Sequence, residues 1–153
     1  MDGLGTPPSR AAIVAEARDW IGTPYRHQAS FKGAGCDCLG LVRGLWRAFY
    51  GPEPAEAPPY TPDWAELRGE ETLYAAARAY LCETPPAACA PGDVLLFRMR
   101  TDAPMKHAAI LAGPERIIHA YWGRAVVESR LSPWWGARLA ATFSFPGVRS
   151  WPN

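Results

Sequence analysis

Pro91-Gly92-Asp93-Val94-Leu95-Leu96-Phe97 is the stretch at which the pattern of this chain changes. Before it, apolar residues recur at helical spacing. From Asp93 onward the period falls to two, in short runs separated by turn residues. Asp93–Phe97, Ala108–Leu111, Ile117–Ala120, Ala125–Ser129 and Ala141–Phe145 read as strands, with turns at Gly113-Pro114 and Trp122-Gly123-Arg124. Upstream, Ser9 predicts the N-cap of a helix reaching about Ile21, with Ile13, Ala17, Trp20 and Ile21 on one face and Gly22 and Pro24 as its stop. Residues 22–35 read as a loop. A second helix begins near Asp37, presents Leu41, Val42, Leu45, Trp46 and Phe49 on one face, and closes at Tyr50-Gly51-Pro52. Glu53–Pro62 is a proline-bearing surface excursion, and Asp63 caps a further helical stretch reaching about Leu81, with Gly69 the point at which it would break. Thr84–Pro91 is a connector, and residues 1–8 are a loose start. Helices first and strands afterwards predict an α+β fold, with N-terminal helices packed on a C-terminal antiparallel sheet. The whole chain, 1–153, is expected to be one domain around one core.

Composition narrows the function. Hydrophobic residues make up 48% of the chain and charged residues 20%, with a net charge of +1, which suits a packed globular domain. The arginines are scattered, so no basic stripe for nucleic acid is present. No apolar run is long enough to span a membrane. Met1–Arg18 lacks a basic segment followed by an apolar one, so the expectation is a protein made in the cytoplasm without a signal peptide. Disulfides are then not the default for the four cysteines, Cys36, Cys38, Cys82 and Cys89. Their C-x-C and C-x6-C spacing fits zinc poorly, and neither a metal nor a cofactor is expected.

The chemistry concentrates around Cys38. It falls in the predicted first turn of the second helix, where unpaired backbone N–H groups and the helix dipole favour a thiolate. A free thiol ionises near ~8.5, and such surroundings lower that value. The same N–H groups can hold an oxyanion. Against this stands the ordinary behaviour of free cysteine, which is commonly a small buried hydrophobe. His107 and His119 lie in adjacent predicted strands, so antiparallel pairing can turn both imidazoles to one face. A base beside a thiol, oriented by a second polar group, is the arrangement nucleophilic catalysis requires. Tyr25 is a candidate for the cleft wall or the oxyanion site, with a packed loop aromatic as the alternative. Asp37 is either the helix cap or a binder of a substrate amine. His27 reads as a surface residue near the cleft, and Cys36, Cys82 and Cys89 as bystanders.

Five segments occur in a telling order: Gly22-Thr23-Pro24-Tyr25, Asp37-Cys38-Leu39-Gly40-Leu41-Val42, Pro91-Gly92-Asp93-Val94-Leu95-Leu96-Phe97, His107-Ala108-Ala109-Ile110 and Ile118-His119-Ala120. Together they resemble the NlpC/p60 family of papain-like cell-wall cysteine peptidases, and in particular the branch found with phage tails and gene transfer agents. The resemblance covers Gly22 to Ala120. It implies a papain-like α+β core, Cys38 as nucleophile, His107 as base, His119 as the orienting third member, and Tyr25 near the oxyanion. Two departures stand out. Leu39 replaces the serine usual beside the nucleophile, and residues 51–91 form an atypical insertion expected to line the cleft.

The resemblance further implies a peptidoglycan endopeptidase that cuts the γ-D-glutamyl–diaminopimelate bond of stem peptides. No residues are left for a wall-binding module, so a phage-like tail or baseplate partner is expected to carry the enzyme to the periplasm. The rival is a tail or baseplate adaptor whose site is inactive or has switched to amidase or acyltransferase chemistry. Oligomeric state is not readable, and the segment with Trp134, Trp135 and Trp151 is either core closure or a contact surface.

Overall fold

A computed structural model describes residues 6–54 and 71–149. Helix α1, Arg10–Arg18, starts where Ser9 accepts a hydrogen bond from the Ala12 N–H. Ile13 and Ala17 are buried as expected, and so is Trp20, but Ile21 is 44% exposed. The helix ends at Arg18, and the Thr23 N–H closes a turn onto the Trp20 carbonyl, so Ile21 leaves the helical register. The expected loop from 22 to 35 contains a small hairpin, β1 Ser30–Phe31 with β2 Gly35–Cys36, too short to leave a periodic signal.

Helix α2, Cys38–Tyr50, follows directly. Its buried face includes Leu41 and Leu45, with Val42, Trp46 and Phe49 packed beside them. Two glycines let it lie close to its neighbours. A Cβ at Gly44 would sit 2.1 Å from the Trp20 ring, and one at Gly40 would sit 1.9 Å from the Ala29 carbonyl oxygen.

Helix α3, Thr72–Tyr80, supplies the end of the third expected helical stretch. The Asp63 cap, the Gly69 break and most of the proline-bearing excursion fall outside the described residues, as does Trp151. Beyond α3 the chain departs from the expected connector. Cys82–Thr84 is a strand, β3, paired with the last strand of the sheet, and Pro86–Ala88 forms a single 3-10 turn. The described part of the insertion thus extends one edge of the sheet and adds a helix to the helical layer.

The remaining strands are β4 Val94–Arg98, β5 Met105–Gly113, β6 Arg116–Ala120, β7 Val126–Arg130 and β8 Leu139–Ser144, with a short helix α4, Pro133–Gly136, before β8. With β3 they form an antiparallel sheet of six strands in the order β3-β8-β4-β5-β6-β7. Alternation along the strands gives it two buried faces. Val94, Leu96, Ala108, Ile110 and Ile118 join Ile13, Leu41, Leu45 and Leu73 in the main core under the helices. Leu95, Phe97, Ala109, Leu111 and Ile117 pack on the other side with Trp135 from α4. Burial on both faces explains the unbroken apolar run Val94–Phe97.

Arg10 ties the N-terminal helix to the sheet. Its guanidinium pairs with Asp93 at 2.7 Å, with exposures of 4% and 1%. Asp93 also accepts from the Ser144 hydroxyl and from the Ala90 N–H, so the buried charge is fully engaged.

Candidate active site

The end of the first loop and the start of α2 place the nucleophile candidate. Asp37 caps α2: its Oδ1 accepts from the Gly40 N–H at 2.7 Å, and its Oδ2 accepts from the Gln28 N–H, also at 2.7 Å. At 2% exposure, Asp37 holds the loop against the helix start. His27 stands beside it, with Nδ1 at 4.0 Å from the carboxylate. Cys36 is wholly buried, Cys82 is exposed, and none of the four cysteines is in a disulfide.

Cys38 opens α2 with its sulfur against β5. The thiol approaches the Lys106 carbonyl at 4.0 Å, and the Ala108 N–H donates to the same sulfur. Those two backbone groups flank His107 on either side. The N–H groups of Cys38 and Leu39 also point at the sulfur, which is the helix-start donor set expected from the sequence. Leu39 itself packs against the main core. The missing serine is therefore replaced by a packing contact.

The two histidines meet. His107 Nε2 and His119 Nδ1 are 2.8 Å apart, and His119 Nε2 lies 3.1 Å from the Ser129 hydroxyl. The register explains why. Ile110 pairs with Ile118 and His119 with Val127, so 107, 119 and 129 project from the same face of three neighbouring strands. That face is the one away from the helices, and Trp135 covers it. The Trp135 ring stacks on His107, with centroids 5.1 Å apart and planes at 26°, and meets His119 edge-on at 5.2 Å.

Burial governs the protonation of the site. It pushes the Cys38 thiol up to about 12, with the Asp37 carboxylate adding to the shift and the backbone donors opposing it. It pushes His107 down to about 3, aided by His119, and His119 down to about 4. The helix-start position of Cys38 favours a thiolate. Desolvation at Cys38 thus opposes the charge-stabilising effect of the helix-start donors.

Tyr25 lies near Cys38 and Asp37. Its backbone N–H donates to the Arg124 carbonyl, and it bridges to Cys36 beside the α2 start. Its ring meets Trp122 edge-on at 5.2 Å. Burial, together with the neighbouring Cys38, Asp37 and Cys36, raises its phenol strongly, so the hydroxyl stays protonated and able to donate.

Two residues at the site were not singled out from the sequence. Ser129 carried a signal, since it lies two residues beyond the position that pairs with His119 and shares its face. Trp135 carried none, because it reaches the histidines from a short helix outside the sheet register.

A helix-start cysteine whose sulfur meets the strand backbone on both sides of a histidine, itself hydrogen-bonded to a second histidine, is the arrangement on which comparison with known proteins turns. The model of the NlpC/P60 family matches residues 22–143. The chain belongs to the NlpC/P60 family.

The family is one of cysteine peptidases and peptidoglycan hydrolases. A curated relative, the gamma-DL-glutamyl hydrolase of Bacillus subtilis (strain 168), is 30% identical over 145 residues, which is 92% of this chain and 29% of that protein. This chain therefore spans under a third of that relative's length. Among solved structures, the NlpC/p60 domain of the peptidoglycan hydrolase SagA aligns over 89% of this chain and 98% of its own, with a TM-score of 0.64 and 24% identity. An NlpC/P60 family protein from Bacillus cereus ATCC 10987 aligns over 91% of this chain and 41% of its own, with a TM-score of 0.66 and 17% identity. These likenesses establish the papain-like α+β fold.

Proposed function

We propose that this NlpC/P60 domain is a cysteine peptidase that cuts peptidoglycan stem peptides at the γ-D-glutamyl–diaminopimelate bond. The observation that carries the proposal is the placement of the Cys38 sulfur between the backbone groups flanking His107, whose far nitrogen is held by His119. Cys38 is the nucleophile, His107 the base and His119 the residue that orients it. The Cys38 thiol gives its proton to His107 Nδ1 while the sulfur attacks the γ-glutamyl carbonyl carbon. Backbone N–H groups at the α2 start and the Tyr25 hydroxyl stabilise the oxyanion. His107 then donates the proton to the leaving amine of diaminopimelate, and water, deprotonated by His107, releases the glutamyl product from the thioester.

The bond is suggested by the family and by the Bacillus subtilis relative, named for hydrolysis of γ-linked glutamate. Digestion of disaccharide-tetrapeptides from a diaminopimelate-type wall tests it. Release of a diaminopimelate–alanine dipeptide, leaving disaccharide–alanyl-glutamate, is the expected result. Cleavage between the sugar and L-alanine would make the enzyme an amidase instead.

The resemblance to the phage-type branch extends the proposal to its setting, in which a tail or baseplate protein carries the domain to the periplasm. Co-purification with tail components is the expected result, and its absence from assembled particles would overturn this part.

A further inference from the structure

We propose that Ser129 is a positioning residue that sets the direction of the hydrogen-bond chain running through His119 to His107. The inference rests on the reading of His107 as the base for Cys38. The chain Ser129 Oγ, His119 Nε2, His119 Nδ1, His107 Nε2 has two links, of 3.1 Å and 2.8 Å. With both histidines neutral, it has two self-consistent arrangements.

In the first, His107 donates its Nε2–H to His119 Nδ1, and His119 donates its Nε2–H to the Ser129 oxygen. His107 Nδ1 is then bare and can accept the thiol proton. In the second, every link is reversed. Ser129 donates to His119 Nε2, His119 donates from Nδ1 to His107 Nε2, and His107 carries its hydrogen on Nδ1, where it cannot act as a base.

Ser129 is only half-buried on β7, so its own hydrogen can point to solvent while its oxygen accepts. His119 is 2% exposed and has no such freedom. Removing the Ser129 oxygen would orphan a buried N–H in the first arrangement. In the second it would leave only an unpaired acceptor, which is tolerated better. Ser129 therefore favours the arrangement in which His107 is basic.

The test compares wild type, Ser129→Ala and Ser129→Thr by nitrogen-15 NMR of the histidine side chains and by steady-state kinetics on muropeptide. The expected result is a wild-type His107 with bare Nδ1, a shift of its hydrogen toward Nδ1 in Ser129→Ala with kcat lowered about tenfold and KM unchanged, and recovery of both in Ser129→Thr. An unaltered His107 tautomer in a folded Ser129→Ala protein would overturn the inference. The NMR readout needs no turnover, so a wild type inactive on muropeptides would contradict the proposed substrate and still leave the tautomer result decisive.

Discussion

His107 Nε2 and His119 Nδ1 lie 2.8 Å apart because the two residues occupy diagonal positions on adjacent antiparallel strands. One nitrogen of His107 is thereby occupied inside the fold, and the proposed mechanism uses the other to take the Cys38 proton. Replacing His107 with alanine removes the proton acceptor and should lower kcat by roughly 10²–10⁴-fold. His119→Ala leaves the acceptor but frees its orientation, so its loss should be smaller, about tenfold or more, and fall on kcat rather than KM. Steady-state kinetics of both variants check this. Equal losses would mean that the two imidazoles act as one unit.

Acid should destabilise the protein through the same pair. Both histidines are held neutral, at about 3 and about 4 against an ordinary 6.5. The unfolded chain therefore binds more protons than the folded one below 6.5. The stability these groups contribute is complete above that pH and declines as pH falls toward the folded values. Urea unfolding at about pH 7.5 and about pH 5 should reveal the decline. A His107→Gln/His119→Gln double variant should have a flatter profile over the same range.

The thiol should respond to its neighbour's charge. Burial and the Asp37 carboxylate both raise Cys38. Alkylation of the resting protein should accordingly accelerate through the alkaline range without a plateau at neutral pH, with Cys38→Ala as the blank. Asp37→Asn retains a capping oxygen for the Gly40 N–H and removes the charge, so its alkylation profile should move to lower pH. An unmoved profile would assign the shift to burial alone.

Gly40 sets how close α2 can come to the loop before it. A methyl group there would overlap the Ala29 carbonyl oxygen, which is backbone and cannot rotate away. Gly40→Ala should lower stability by about 1–3 kcal/mol and displace the helix start that carries Cys38. Chemical denaturation together with kcat measures both effects, and an unchanged unfolding midpoint would contradict the packing argument.

Much of this was legible in the sequence, and the parts that were not have physical reasons. The caps Ser9 and Asp37, the faces of α1 and α2 and the period-two strands are local signals, and the structure follows them. The register that brings His107 to His119 could be anticipated because the two lie in neighbouring strands joined by a tight turn. Edge strand β3 was missed because Cys82–Thr84 is short and pairs with a distant partner, β8. Ile21 was misplaced because helical periodicity was extended past the turn that ends α1. The helix start that favours a thiolate at Cys38 is visible in a sequence, whereas the burial that opposes it comes from tertiary packing. Trp135 entered the site for the same reason, through α4 rather than through the sheet.

The most direct test of the account is digestion of purified diaminopimelate-type muropeptides by the wild type and by Cys38→Ala, with products read by mass spectrometry. The account predicts cleavage between γ-D-glutamate and diaminopimelate by the wild type and none by the variant. Cleavage by both proteins, or by neither when both are folded, would contradict it.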